Sequence, residues 1–173
     1  MTGALDGLRV LDLSQGAAGP TCGMALGDLG AIVIKVEPPD GEWGRGLGPP
    51  FVSGVAAAFL GMNRNKRGIA VDLKHAEGAE VVLRLAESCD VAIESFRPGV
   101  ADRLGIGYEV MAERNVRLFC DEMYRGLEYT PADRLPSAST RSKRAVSLWG
   151  MSKTFGLAGL RIGWLTTQDR QLV

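Results

Sequence analysis

Histidine is nearly absent. His75 is the one histidine in 173 residues. A Ser-His-Asp triad would have to be built on that residue, and a multi-histidine metal centre is excluded. His75 stands in "DLKHAEGAE" at an expected helix start, where an exposed capping-region residue is the ordinary reading. Cysteine is scarce too. Cys22, Cys89 and Cys120 are odd in number and far apart, without metal-ligand spacing and without a disulfide framework. Such thiols are expected to lie buried in a reducing cytosol. The sequence also lacks a long apolar run: the longest, around "GVAAAFLGM", is too short to span a bilayer. Its opening, "MTGALDGLRVLDLS", has no basic region ahead of an apolar one, which reads against a secretory leader. An excess of either charge is missing as well. With 20 Lys+Arg against 20 Asp+Glu, nothing points to a nucleic-acid or membrane-surface partner. The expected location is cytoplasmic.

The balanced total conceals an asymmetry. Residues 1–115 carry 11 basic and 15 acidic side chains, and residues 116–173 carry 9 and 5. A change of sign at one point is what two segments of different origin give; two solvated faces give it equally. A chain of this length buries one good core and part of another.

What is present is an α/β pattern. "LRVLDLS" (8–14) is a buried strand, and "TCGMALGDLG" (21–30) has helical spacing that stops at Gly30. "AIVIKVE" (31–37) is a second strand. Strand, short Gly turn, helix and strand are the unit of a parallel sheet. Residues 38–51 form a long Gly/Pro loop, a length that is often functional. "GVAAAFLGM" reads as helix, 68–73 as strand, 76–89 as amphipathic helix and 90–95 as a fourth strand. Further strands are expected at 116–122, 144–149 and 161–167, the last two on either side of a lysine loop.

The segments "GLRVLDLS…AGP…LGDLGAIVIKVEPPDGEWGR", "NRNKRGIAVDLK" and "FRPGVADRLGIGYE" resemble the family III CoA-transferases. The likeness covers about two-thirds of the chain, in order. It implies a Rossmann-like, mostly parallel sheet over 1–115 that binds coenzyme A. Lys74, Ser95, Phe96 and Arg103 fall at CoA-contacting positions, although relatives often carry Asn where this chain has Ser95. Phe96 would stack on or beside the adenine, or else pack in the core. Arg64, Lys66, Arg67 and Lys74 form a cluster of cations that suits phosphates, or a solvated basic face. The resemblance also implies a nucleophilic aspartate well beyond "FRPG". The pattern is left near Asn115, ahead of that region, and Asp121 stands in another context.

From 116 to 173 a different likeness takes over. "VRLFCDEMYRGLEY…RAVSLWGMSKTFGLAGLRIGW" resembles the fold-type I pyridoxal-phosphate-dependent aminotransferases, as an incomplete fragment of their α/β large domain. The resemblance implies that Lys153 is the Schiff-base lysine and the catalytic base. It implies that Asp121 pairs with the pyridinium nitrogen, that Tyr124 reaches the ring's phenolic oxygen, and that Ser152 and Arg161 hold the phosphate. The family's early phosphate loop and stacking aromatic have no counterpart here.

The expectation is therefore a chimera joined near Asn115: a CoA-binding α/β module, a transferase by descent without turnover of its own. The alternatives are a pyridoxal-phosphate-binding fragment using Lys153, or a fusion product with no activity. Members of both families are dimers, so a homo-oligomer acting on a small-molecule ligand is the implied assembly.

Overall fold

A computed structural model describes residues 3–97, 99–114 and 117–172. Strand β1 (Arg9–Asp12), helix α1 (Ala18–Asp28) and strand β2 (Ile32–Glu37) make the first unit. The β-branched residues of "IVIKVE" suit a half-buried pleated surface. Between α1 and β2, Gly30 takes a φ of 107°, a region open to glycine, and its backbone lies against Gly3. A small hairpin, β3 (Phe51–Val52) and β4 (Val55–Ala56), precedes α2 (Ala57–Met62), β5 (Lys66–Ala70), α3 (Ala76–Glu87) and β6 (Val91–Glu94). Helices α4 (Val100–Arg103) and α5 (Tyr108–Glu113) lead to β7 (Arg117–Asp121), α6 (Ala138–Arg141), β8 (Ala145–Gly150) and β9 (Gly163–Thr167).

The main sheet has the order β5-β2-β1-β6-β7-β8-β9. Its pairs are parallel except for β8 with β9, which is antiparallel. From β1 the chain moves outward to β2 and β5, then crosses back to place β6 on the other side of β1. The loops leaving β1 and β6 therefore part in opposite directions. Open α/β sheets bind ligands in the crevice outside the carboxyl ends at such a switch point.

Two cores flank the sheet. On one face Leu11, Leu13, Val36, Ala92, Leu118 and Cys120 meet Ala79, Val82, Leu83 and Ala86 of α3 and Met111 of α5. On the other, Val10, Val33 and Ile93 meet Cys22 and Leu26 of α1. Complete burial of a valine or leucine contributes about 1.5–3 kcal/mol, so the register of the central strands is strongly set.

Several boundaries differ from the sequence expectation. The strand expected at 68–73 lies at 66–70, because Lys66 turns inward to Asp12 and enters the ladder. Val55 and Ala56, expected in a helix, pair with β3 instead. β9 starts at Gly163 rather than at Arg161, whose φ of 52° interrupts the extended backbone. The join expected near Asn115 lies outside the described residues. No helix among them is long and apolar enough to cross a membrane.

Candidate functional site

At the switch point the loop after β1 closes onto the end of β6. The Leu13 N–H donates to the Ile93 carbonyl at 2.9 Å, and the Gln15 N–H to Ser95 Oγ at 3.2 Å. Ser95 and Phe96 are half-buried, with Phe96 packed against the larger core. Lys74 follows β5 and is exposed; its N–H donates to Asp72 Oδ1 at 2.9 Å. β2 and β1 separate β5 from β6 in the sheet. Arg103, exposed at the end of α4, reaches back toward Gly99. Ser95 and Phe96 adjoin each other at the end of β6, and Lys74 and Arg103 are exposed.

Beneath this edge lies a buried ionic network that the residue pattern did not reveal. Lys66 Nζ donates to Asp12 Oδ2 at 2.8 Å, to the Pro20 carbonyl at 2.7 Å and to Asn63 Oδ1 at 2.8 Å. Asp12 Oδ1 accepts from the Ser14 N–H and hydroxyl. Lys35 Nζ donates to the Ser14 carbonyl at 2.9 Å and lies 3.0 Å from Glu42 Oε2, without hydrogen-bond alignment to it. Arg45 forks onto Glu37 at 2.6 and 2.8 Å and stacks on Phe59. A cleft of about 110 Å³ opens among Lys35, Glu37, Arg45, Phe59, Asn63 and Lys66. Burial lowers the Lys66 pKa, and Asp12 opposes that. Burial raises Glu37, but the Arg45 fork and the Glu42 N–H outweigh it, so the net shift is downward. The signal for this network was a charge inside a buried strand, Asp12 in "RVLDLS" and Lys35 in "IVIKVE".

The basic cluster expected at 64–74 is therefore not one face. Lys66 is internal, and Arg64 pairs with Asp28. Arg67 and Lys74 are exposed.

Glu94, at the end of β6, accepts the Phe96 N–H at 2.8 Å. Burial pushes its carboxyl up; the Phe96 N–H and the Cys120 thiol oppose this, and Asp121 and Glu122 reinforce it. Cys120 is driven far above an ordinary thiol by burial and then by Glu94, so it is no nucleophile.

The aminotransferase-like residues occupy the neighbouring carboxyl ends. Asp121 closes β7, half-buried, with Oδ1 accepting the Met123 N–H at 3.0 Å. β7 and β8 are adjacent, with Asp121 opposite Leu148. Lys153 Nζ sits 5.2 Å from the centroid of the Tyr124 ring, and both residues are exposed. Ser152 and Arg161 line a pocket of about 180 Å³ with Met123, Trp149 and Leu157; Asp121, Tyr124 and Lys153 do not line it. Arg161 donates to the Ala158 carbonyl of its own loop at 3.3 Å. Lys153 and Tyr124 meet each other, while Ser152, next to Lys153 in the chain, and Arg161 line the pocket. Glu122, also unforeseen, is the local anchor. It accepts from Ser137 Oγ, the Ala138 N–H, Ser147 Oγ and Trp149 Nε1 at 2.7 to 3.1 Å.

Residues 5–125 match the family model described as CoA-transferase family III. The chain belongs to CoA-transferase family III. Residues 108–173 match aminotransferase class I and II, so the chain is a chimera whose two signatures overlap over 108–125. Among family III relatives, mouse succinyl-CoA:glutarate CoA-transferase is 50% identical over 106 residues, 61% of this chain and 24% of the relative. A probable fatty acyl-CoA transferase of Mycobacterium tuberculosis is 46% identical over 116 residues, 66% of this chain and 29% of the relative. The match thus spans about a quarter of the curated relatives' length. A crystal structure of a CAIB/BAIF family protein from Brucella suis is 40% identical with a TM-score of 0.70, covering 79% of this chain and 38% of that one. An aminotransferase from Mycobacterium tuberculosis covers 95% of this chain and 37% of its own, with a TM-score of 0.55 and 22% identity, which shows a shared fold alone.

Proposed function

We propose that the chain is a CoA-binding α/β module of CoA-transferase descent that does not itself transfer acyl groups. The observation carrying this reading is the β1/β6 switch point of the sheet, where the Gln15 N–H donates to Ser95 Oγ with Phe96 beside it, the kind of place at which open α/β sheets bind ligands. In this reading Ser95 and Phe96 contact the nucleotide. Lys74 and Arg103, exposed on either side, meet its phosphates. Residues 1–115 form the CoA-binding segment, 116–173 the aminotransferase-derived one, and the assembly is a homo-oligomer. Acyl transfer is left out because the family III match stops at residue 125. Asp121, a carboxylate just ahead of that point, accepts the Met123 N–H at the end of β7.

The relatives' names, succinyl-CoA:glutarate CoA-transferase and probable fatty acyl-CoA transferase, belong to proteins several times longer than the matched segment. A second reading, pyridoxal phosphate bound through Lys153, has the Lys153–Tyr124 contact in its favour. Against it, Lys153 and Tyr124 do not line the pocket that Ser152 and Arg161 line.

A thermal-shift comparison separates these readings. A ligand at a hundred times its Kd stabilises by about 2.7 kcal/mol, so CoA is expected to raise Tm and pyridoxal phosphate to leave it nearly unchanged. The reverse order would favour the second reading, and no response to either would favour an inactive fusion product. Hydroxylamine trapping after incubation with acyl-CoA is expected to find no carboxyl adduct; finding one would show that transfer occurs.

A further inference from the structure

We infer that Lys35, buried in β2, is a positioning residue for the turn at the switch point: it fixes the peptide plane whose other end presents the Gln15 N–H to Ser95. The consequence for ligand binding rests on the reading of Ser95 as a nucleotide contact. Lysine is an unusual filling for an apolar strand. Lys35 is 2% exposed and is the largest fully buried side chain among the described residues. Taking an ammonium out of water costs several kcal/mol, and apolar residues of similar volume often replace buried ion pairs at no loss of stability. Methionine would fill the same space. Packing alone therefore does not account for the charge, and the groups that Nζ touches do.

Nζ donates to the Ser14 carbonyl at 2.9 Å and lies 3.0 Å from Glu42 Oε2. Register brings it there, since Lys35 stands opposite Asp12, two residues before Ser14. The Ser14 carbonyl and the Gln15 N–H belong to one peptide group. That group is planar and trans, so its C=O and N–H point in opposite directions. Lys35 holds one end, and Ser95 Oγ, 3.2 Å from the Gln15 nitrogen, meets the other. Rotation about the flanking Cα atoms swings both ends together, so a grip on the carbonyl is a grip on the N–H. Asp12 Oδ1, accepting the Ser14 N–H at 3.0 Å, holds the preceding peptide in the same manner.

Ser95 gains a direction from this grip. A hydroxyl has one proton to donate and two lone pairs. With Oγ accepting from Gln15, the proton is what Ser95 offers a ligand. The ligand group it suits is therefore a hydrogen-bond acceptor: a phosphate oxygen, a carbonyl or a ring nitrogen. Through Glu42, whose side chain is 0% exposed, the same ammonium ties the turn to the loop that follows β2.

The test is site-resolved amide exchange, with calorimetry against CoA, on the whole chain. Wild type is compared with Lys35→Met and with Lys35→Met/Glu42→Gln. The double variant strands no carboxylate at Glu42, so it is the one to measure should the single variant not fold. Val33→Ala, two positions back in the same strand, is the control for lost stability alone. In the Lys35 variants the Gln15 amide is expected to lose protection about tenfold or more relative to the Val82 amide of α3, the loss of one charge-assisted bond. CoA is expected to bind more weakly by a similar factor. The control is expected to lower Tm and to change neither ratio. Lys35 variants that keep the Gln15 protection, variants that lose it with CoA binding unchanged, or a control that loses both would each overturn the inference. Should the wild type not bind CoA, the reading of Ser95 fails, and the Gln15 amide alone then decides whether Lys35 holds the turn.

Discussion

Asp12 and Lys66 carry a stability prediction of their own. Their side chains are 0% and 2% exposed and meet at 2.8 Å. Removing one partner of a buried pair strands the other charge, at a cost of about 3–5 kcal/mol. Lys66→Ala and Asp12→Ala are each expected to fall in that range by urea unfolding, with the double variant far from additive. A loss under about 1 kcal/mol in either single variant would mean that water reaches the pair. Glu94 gives the opposite sign. Its folded pKa is raised, so its contribution to stability is present below the unfolded pKa and is lost as pH rises through the folded one. Glu94→Gln is therefore expected to stabilise the protein at neutral pH and to do nearly nothing in acid. Equal effects at both pH values would contradict the burial assigned to this carboxyl. These residues also mark where reading the sequence stopped. "RVLDLS" displays a charged residue in an apolar strand, but its partner lies fifty-four positions away. Pairing over such a separation is created by the fold and has no local periodicity.

At the scale of elements, most of the sheet was legible, because β-branched runs and helical spacing follow from local geometry. The edges of elements were not. Val55 and Ala56 became strand because β3 was there to pair with them, and β5 moved because Lys66 had an acid to meet. The packing of α1 yields a paired prediction. A Cβ at Gly19 would lie 2.2 Å from Ser14 Cβ, on the loop that follows β1, whereas a Cβ at Gly61 in α2 meets open space. Gly19→Ala is expected to cost about 1–3 kcal/mol as overpacking, and Gly61→Ala to gain about 0.4–1 kcal/mol. Equal Tm values for the two variants would show that α1 can slide away from Ser14.

At the scale of the molecule, the sheet is continuous from β5 to β9. β6 and β7 pair in register from Val91–Arg117 to Glu94–Cys120, so the carboxyl ends of the two strands lie side by side. The family likenesses supplied the candidate site residues. Ser95 adjoins Phe96, Lys153 meets Tyr124, and Ser152 and Arg161 line a pocket that Lys153 and Tyr124 do not line. That arrangement yields a prediction for the lysine loop. Lys153→Ala is expected to leave the uptake of pyridoxal phosphate, followed by absorbance, close to that of the wild type, and no amino acid should alter the spectrum. A band lost in the variant and shifted by one amino acid would show a working aminotransferase half. The central claim, a CoA-binding module, is tested most directly by calorimetric titration of the whole chain with CoA, in parallel with Arg103→Ala. The account predicts a saturable heat that ADP competes away, and a variant weaker by about 1.5–3 kcal/mol, the loss of one charge-assisted bond. No heat at millimolar CoA, or a heat indifferent to ADP, would contradict it.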